Sequence, residues 1–143
     1  MQQEAPALGA GFEALVEQLP VSVILADREG LIRAWNRASE ALFGFSAQEV
    51  LGRSLDVIIP EHLRPAHWEG YNRSLASGAT KYSGRVMTTR AVHKDGRKLY
   101  VDFSFAMLKD AAGTVVGAMA TGRDVTERYL AERAKRAAGS PGA

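Results

Sequence analysis

The sequence predicts an α+β domain, an antiparallel sheet with short helices folded over one face, on three observations. Two short β-branched runs separated by a turn open its structured part, three longer extended runs close it, and only brief capped helical patterns lie between. A chain of 143 residues can close one hydrophobic core without dividing into two.

Residues 1–10 are small, polar or glycine-bearing and read as a flexible N-terminus. "GFEALVEQL" spaces Phe12, Leu15, Val16 and Leu19 along one helical face, and Pro20 stops it. "VSVILA" (21–26), the turn "DREG" and "LIRAW" (31–35) read as a hairpin. "NRASEALFGF" then carries Ala38, Ala41, Leu42 and Phe45 at helical spacing, with Asn36 as N-cap and Gly44 suited to ending it. "SAQEVLGRS" repeats the signature: Ser46 caps, Glu49 completes a capping box and Gly52 terminates. A further helix runs from about Pro65 to Ala76 and is ended by Ser77-Gly78. Three long strands follow, "YSGRVMTTRAV", "LYVDFSFAML" and "VVGAMATGRDV", joined by the turns "HKDGRK" and "KDAAGT". In the middle strand Leu99, Val101, Phe103, Phe105 and Met107 alternate with Tyr100, Asp102, Ser104 and Ala106, so the odd-numbered face is expected to be buried. "DVTERYLAERAKR" turns helical, and residues 137–143 read as a flexible tail.

Composition narrows the function. Apolar residues make up 46% and charged residues 24%, no apolar run approaches a membrane span, and the N-terminus lacks the features of a secretory signal, so a soluble cytoplasmic domain is expected. A net charge of +2 argues against a nucleic-acid surface. With no cysteine, the chain has no thiol nucleophile, disulfide, cysteine-bound zinc, iron–sulfur cluster or sulfur-linked chromophore.

Three stretches, "LPVSVILADREGLIRAWNRASEALFGFSAQEVLGRS", "KDGRKLYVDFSFAMLKDAAGTVVG" and "RDVTER", resemble the PAS domain family of bacterial sensory modules over roughly residues 12 to 128. The resemblance implies a PAS fold: a five-stranded antiparallel sheet in the order 2-1-5-4-3, a pocket between sheet and helices, and frequent dimerisation. It divides the chain into a PAS sensor domain over 11–124 and a signalling helix over 125–136. The family binds haem, flavins, small acids or nothing. "RPAH" makes the chain most similar to the haem-binding PAS oxygen sensors, of the direct oxygen sensor phosphodiesterase and nitrogen-fixation kinase types. In these the matching histidine is the proximal iron ligand, which falls here on His67. The implied cofactor is haem b (iron protoporphyrin IX).

The phosphodiesterase-type sensors also place methionine and arginine two residues apart on the strand before the turn, as distal groups. Arg85 and Met87 form that pair in reversed order, and on one strand they share a face with Cα atoms about 6 to 7 Å apart. Arg85 is the candidate donor to bound dioxygen, and Met87 the candidate distal iron ligand. Phe103 and Phe105 match apolar distal residues, whereas Ala118, Ala120 and Gly122 leave room for a flat ligand. Tyr71, one turn past His67, is expected against the same ligand or donating to a propionate. Trp68 receives no role, and His62 and His93 read as surface residues. Each of these residues also has an ordinary reading as sheet face or core, which needs no cofactor.

The resulting expectation is a haem-based gas or redox sensor, with Thr126 and Glu127 at the junction to the C-terminal helix, and no enzyme activity. Val115, Met119 and the first helix are candidate homodimer contacts, and output lies with a downstream partner or an output domain outside this chain. The alternatives are a cofactor-free dimerisation module, a non-covalent flavin domain and a peroxide-using haem enzyme.

Overall fold

The hairpin expected near the start of the chain forms. In the computed structural model, which describes residues 11–80 and 85–139, β1 (Ser22–Asp27) pairs antiparallel with β2 (Ile32–Trp35). Before it lies α1 (Gly11–Gln18), and after it come α2 (Arg37–Phe43) and α3 (Ala47–Val50). Two 3-10 turns that sequence reading missed, Leu55–Ile58 and Glu61–Leu63, lead into α4 (Arg64–Ser77). Then follow β3 (Met87–Val92), β4 (Lys98–Lys109), β5 (Val115–Asp124) and α5 (Thr126–Ala138). The five strands form one antiparallel sheet in the order β2-β1-β5-β4-β3, as expected.

Local chemistry explains the element boundaries. Asn36 caps α2 by accepting from Ser39 N, and Ser46 and Glu49 exchange both bonds of a capping box on α3. Asn36 also reaches outward: its Oδ1 accepts from Val23 N at 2.9 Å, and its Nδ2 donates to the carbonyls of Val16 and Val21, each at 2.9 Å. One buried amide thus ties α1, β1 and α2 together. Beneath α2 and α3 the core is closed by Ile24, Ile32, Trp35, Phe43, Val50, Ile58, Leu99, Val101 and Phe103.

The structure corrects four expectations. The third strand begins its ladder only at Met87, opposite Phe103, so Arg85 lies before it and is exposed. Residues 82–84 of that expected strand lie outside the described residues, as do residues 1–10 and 140–143. Tyr100, on the even face of β4, is buried, because Tyr129 of α5 stacks on it at 4.1 Å and 19°. A bulge between Leu108 and Lys109 shifts the β4–β5 register and brings Val115 beside Gly78 at the end of α4, away from the outer face. His93 is largely covered, its ring lying against Gly44 and its Nδ1 accepting from Asp95 N at 3.1 Å, whereas His62 is exposed as expected.

Candidate functional site

Helix α4 starts with Pro65 in its first turn and ends where Gly78 takes the left-handed conformation. Near its start, the Trp68 indole lies on Gly30 of the β1–β2 turn, where φ is +80° and any Cβ would collide with the ring. Its Nε1–H donates to Asp56 Oδ1 at 2.8 Å. About one turn on, the Tyr71 hydroxyl donates to the Asp27 main-chain carbonyl at 2.5 Å. At the far end, a Cβ on Gly78 would lie 3.6 Å from Val115 Cγ2. The helix therefore crosses the end of the sheet from the β1–β2 turn to the start of β5.

His67 sits in the middle of these contacts. Its ring lies nearly parallel to Tyr71, with centroids 5.8 Å apart at 30°, and meets Trp68 edge-on at 4.5 Å and 80°. Its Nδ1 is sealed from solvent and has no hydrogen-bond partner. Burial pushes the imidazole pKa below its ordinary 6.5, with the Asp56 charge opposing, so the ring is neutral at pH 7. A neutral imidazole is the form that ligates a metal, and a buried nitrogen without a partner costs about 1–3 kcal/mol that such a bond would offset.

The sheet face on the same side changes character along its length. Leu99, Val101 and Phe103 are buried, but Phe105, Met107, Ala118 and Ala120 on that face are only partly covered. The register sets Ala120 between Ile24 and Phe105, and Ala118 between Ala26 and Met107. Met87, opposite Phe103, shares this face and is partly buried. Gly122 does a different job from its alanine neighbours: a Cβ there would come within 2.9 Å of Val101 and Phe103 side chains, so its smallness serves the closed core.

Of the residues singled out from the sequence, Met87, Phe103, Phe105, Ala118 and Ala120 therefore share one face, and His67 lies on the helix that crosses its end. Arg85 does not join them, because it precedes the strand and a shared pleat no longer aligns it with Met87. The Tyr71 hydroxyl already has the Asp27 carbonyl as its acceptor. Among the described residues no three His, Asp or Glu side chains gather as a metal site.

Apart from Thr126, already expected at the junction to the C-terminal helix, sequence reading missed the residues that bind the far side of the sheet to α5. Asp102 Oδ1 accepts from Thr88 Oγ1 at 2.5 Å, and its Oδ2 pairs with Arg128 of α5 at 3.1 Å. Thr126 Oγ1 accepts from Tyr100 N at 2.8 Å, while Arg133 donates to the Tyr100 hydroxyl at 3.4 Å. The alternation that exposed Asp102 as a polar, outward position was the available signal, but its partners lie 14 and 26 residues away.

Comparison with known proteins agrees with this architecture. The chain is 32% identical over 118 residues to the oxygen sensor protein DosP of Escherichia coli, covering 82% of this chain and 14% of that protein. Over 56 residues it is 32% identical to the sensor protein FixL of Bradyrhizobium diazoefficiens, covering 39% of this chain and 11% of that one. It thus spans under a fifth of the length of either. Among solved structures, the PAS domain of a Colwellia psychrerythraea protein superposes with a TM-score of 0.68 at 20% identity, covering 78% of this chain and 92% of that one. An RNA-binding light-oxygen-voltage receptor does so with a TM-score of 0.64 at 25% identity, over 85% and 35%. No helix among the described residues is long and apolar enough to cross a membrane. The family model described as PAS fold matches residues 16–130, and the chain belongs to the PAS family as a sensor domain.

Proposed function

We propose that this PAS domain holds haem b between α4 and the half-covered face of the sheet, with His67 as the proximal iron ligand, and senses a diatomic gas or a change of redox state. The observation that carries the reading is the neutral His67 ring, whose sequestered Nδ1 has no partner, on the helix that crosses the end of a half-covered apolar face. The likeness to two proteins named as an oxygen sensor and a sensor supports it.

When bound, haem supplies reversible coordination of a diatomic gas and a one-electron redox couple. The chain's own residues do the rest. His67 holds the group from the helix side, Ala118 and Ala120 leave it room, and Phe103 and Phe105 keep water from the apolar face. Met87, partly buried on that face, is the residue that would offer the iron a thioether. Arg85 remains a candidate donor only by reaching in from outside the strand.

The neighbour of Met87 on β3 is Thr88, whose hydroxyl holds Asp102, which in turn holds Arg128 of α5. A displacement of β3 at Met87 thereby reaches the C-terminal helix through three side chains. Such a shift requires that the ligand bind the two arrangements with different affinity. The role is sensory rather than enzymatic, in a cytoplasmic protein that works as a homodimer and passes its signal to a partner or to an output domain outside this sequence.

The test is an absorption spectrum of purified protein supplied with hemin, in oxidised, reduced and carbonyl forms. The expected result is an intense band near the violet edge of the visible range that shifts with gas and disappears in His67→Ala. Protein that stays colourless sinks the reading and leaves a cofactor-free module, for which the exposed Phe12 (73%) and Leu15 (52%) of α1 offer an apolar contact face. A yellow protein with bound flavin sinks it in favour of the light-oxygen-voltage likeness.

A further inference from the structure

An imidazole that ligates a metal must be held at one angle, and the usual device is a hydrogen bond from its second nitrogen to a carboxylate or carbonyl. Among the described residues neither ring nitrogen of His67 makes one, so whichever nitrogen ligates, the other has no such partner. Orientation must come from packing, and two rings supply the packing: Trp68 edge-on at 4.5 Å and Tyr71 nearly parallel at 5.8 Å, themselves in contact at 5.3 Å and 78°.

Adjacent residues on a helix diverge by about 100° and do not normally face each other. The indole reaches the imidazole of the preceding residue while fixed to points outside α4. Its Nε1–H is held by Asp56, and its ring rests on Gly30, the one residue type that leaves space for it. Asp56 is itself held: Arg64 donates to its main-chain carbonyl at 3.2 Å and to the Ile59 carbonyl at 3.0 Å, with its Nε 3.9 Å from Asp56 Oδ1. We infer that Trp68 is the positioning residue of the His67 site, clamping the imidazole against Tyr71 through its anchors on Asp56 and Gly30. The assignment rests on the haem reading for its purpose, though the clamp is a property of the chain alone.

Two measurements on the full chain test it. The first is carbethoxylation by diethyl pyrocarbonate at neutral pH without added cofactor, followed by peptide mapping, with exposed His62 as internal reference. In the parent protein His67 is expected to react much more slowly than His62. In Trp68→Ala it should react at a rate close to that of His62, with Trp68→Phe, which keeps a ring but loses the bond to Asp56, falling between. An unchanged His67 rate in Trp68→Ala overturns the assignment. Leu75→Ala separates positioning from loosening, since Leu75 is the buried anchor of α4 and lies two turns beyond Trp68. If it raises His67 reactivity as much as Trp68→Ala, the indole merely secures the helix and the assignment fails.

The second measurement is a hemin titration, in which Trp68→Ala is expected to bind about tenfold more weakly than the parent, the ordinary cost of losing an outer partner. Equal binding overturns the positioning role while leaving His67 as ligand. Failure of the parent to bind hemin removes the haem reading instead, and the carbethoxylation result then decides the clamp by itself.

Discussion

Replacing Asn36 by aspartate changes an NH2 group to an oxygen, and the structure fixes what that group meets. Asn36 is 1% exposed, and its Nδ2 donates to two carbonyls at 2.9 Å, those of Val16 and Val21. The bonds that Oδ1 accepts from Val23 N, Ser39 N and Ser39 Oγ survive the change. The new oxygen, however, faces two acceptors with no proton to offer. The least costly solution is to keep the carboxyl protonated, which at pH 7 means lifting its pKa by about three units from 3.9, or about 4 kcal/mol. One carbonyl still goes unsatisfied, adding about 1 kcal/mol. Asn36→Ala loses the cap and leaves buried groups unpaired, for about 3 kcal/mol at any pH. The folded pKa of the introduced carboxyl is raised above the unfolded one, so its penalty is small below the unfolded value and grows as pH rises toward the folded one. Urea unfolding should therefore find Asn36→Asp the less stable variant at pH 7, with a deficit against the parent that narrows toward about pH 4. A total stability of about 5–15 kcal/mol makes the effect large enough to measure. Equal losses in the two variants at pH 7, or a pH-independent deficit for aspartate, would refute the account of Asn36 as a buried donor.

Ala120→Leu adds about three carbons to the half-covered face and should weaken hemin binding at least about tenfold while leaving the cofactor-free protein equal or more stable by about 1 kcal/mol; a thermal melt and a titration separate the two effects, and undiminished hemin binding counts against the site. Asp102→Asn should cost under about 1 kcal/mol globally, since its partner Arg128 is 62% exposed, yet speed amide exchange in α5. Unaltered exchange there would remove Asp102 from the path to the C-terminal helix. Burial, with the charges of Asp27 and Glu29, pushes the Tyr71 hydroxyl up to about 12. The unfolded phenol ionises first, at about 10, so the stability this group contributes is whole below that value and is lost as pH rises toward 12. The advantage of the parent over Tyr71→Phe should shrink above about pH 10, and a constant gap in urea unfolding speaks against a buried phenol.

Where one residue's chemistry settles a feature, the sequence was readable. Asn36, Ser46 with Glu49, and Gly78 each announced a helix end, because caps act within three or four residues. The alternation in β4 marked its buried face for the same reason. Features decided by a distant partner were not readable. The first rung of β3 depends on where β4 offers a pair, so Arg85 was given a strand it does not occupy. Tyr100 is buried only because α5 returns to cover it, and Tyr71 gives its proton to a carbonyl 44 residues away. A polar run such as Trp68-Glu69-Gly70 carries no periodic signal that its indole would rest on a turn more than thirty residues upstream.

The pairing of Ser22 with Gly122 has a consequence for how such a unit travels between proteins. β1 and β5 lie side by side and run in opposite directions, so the backbone arrives and departs at one rim, at points about 5 Å apart. A module wired in this way can be spliced into a host polypeptide without stretching it. Tension or torsion from either flank acts across a single rung of the central strands.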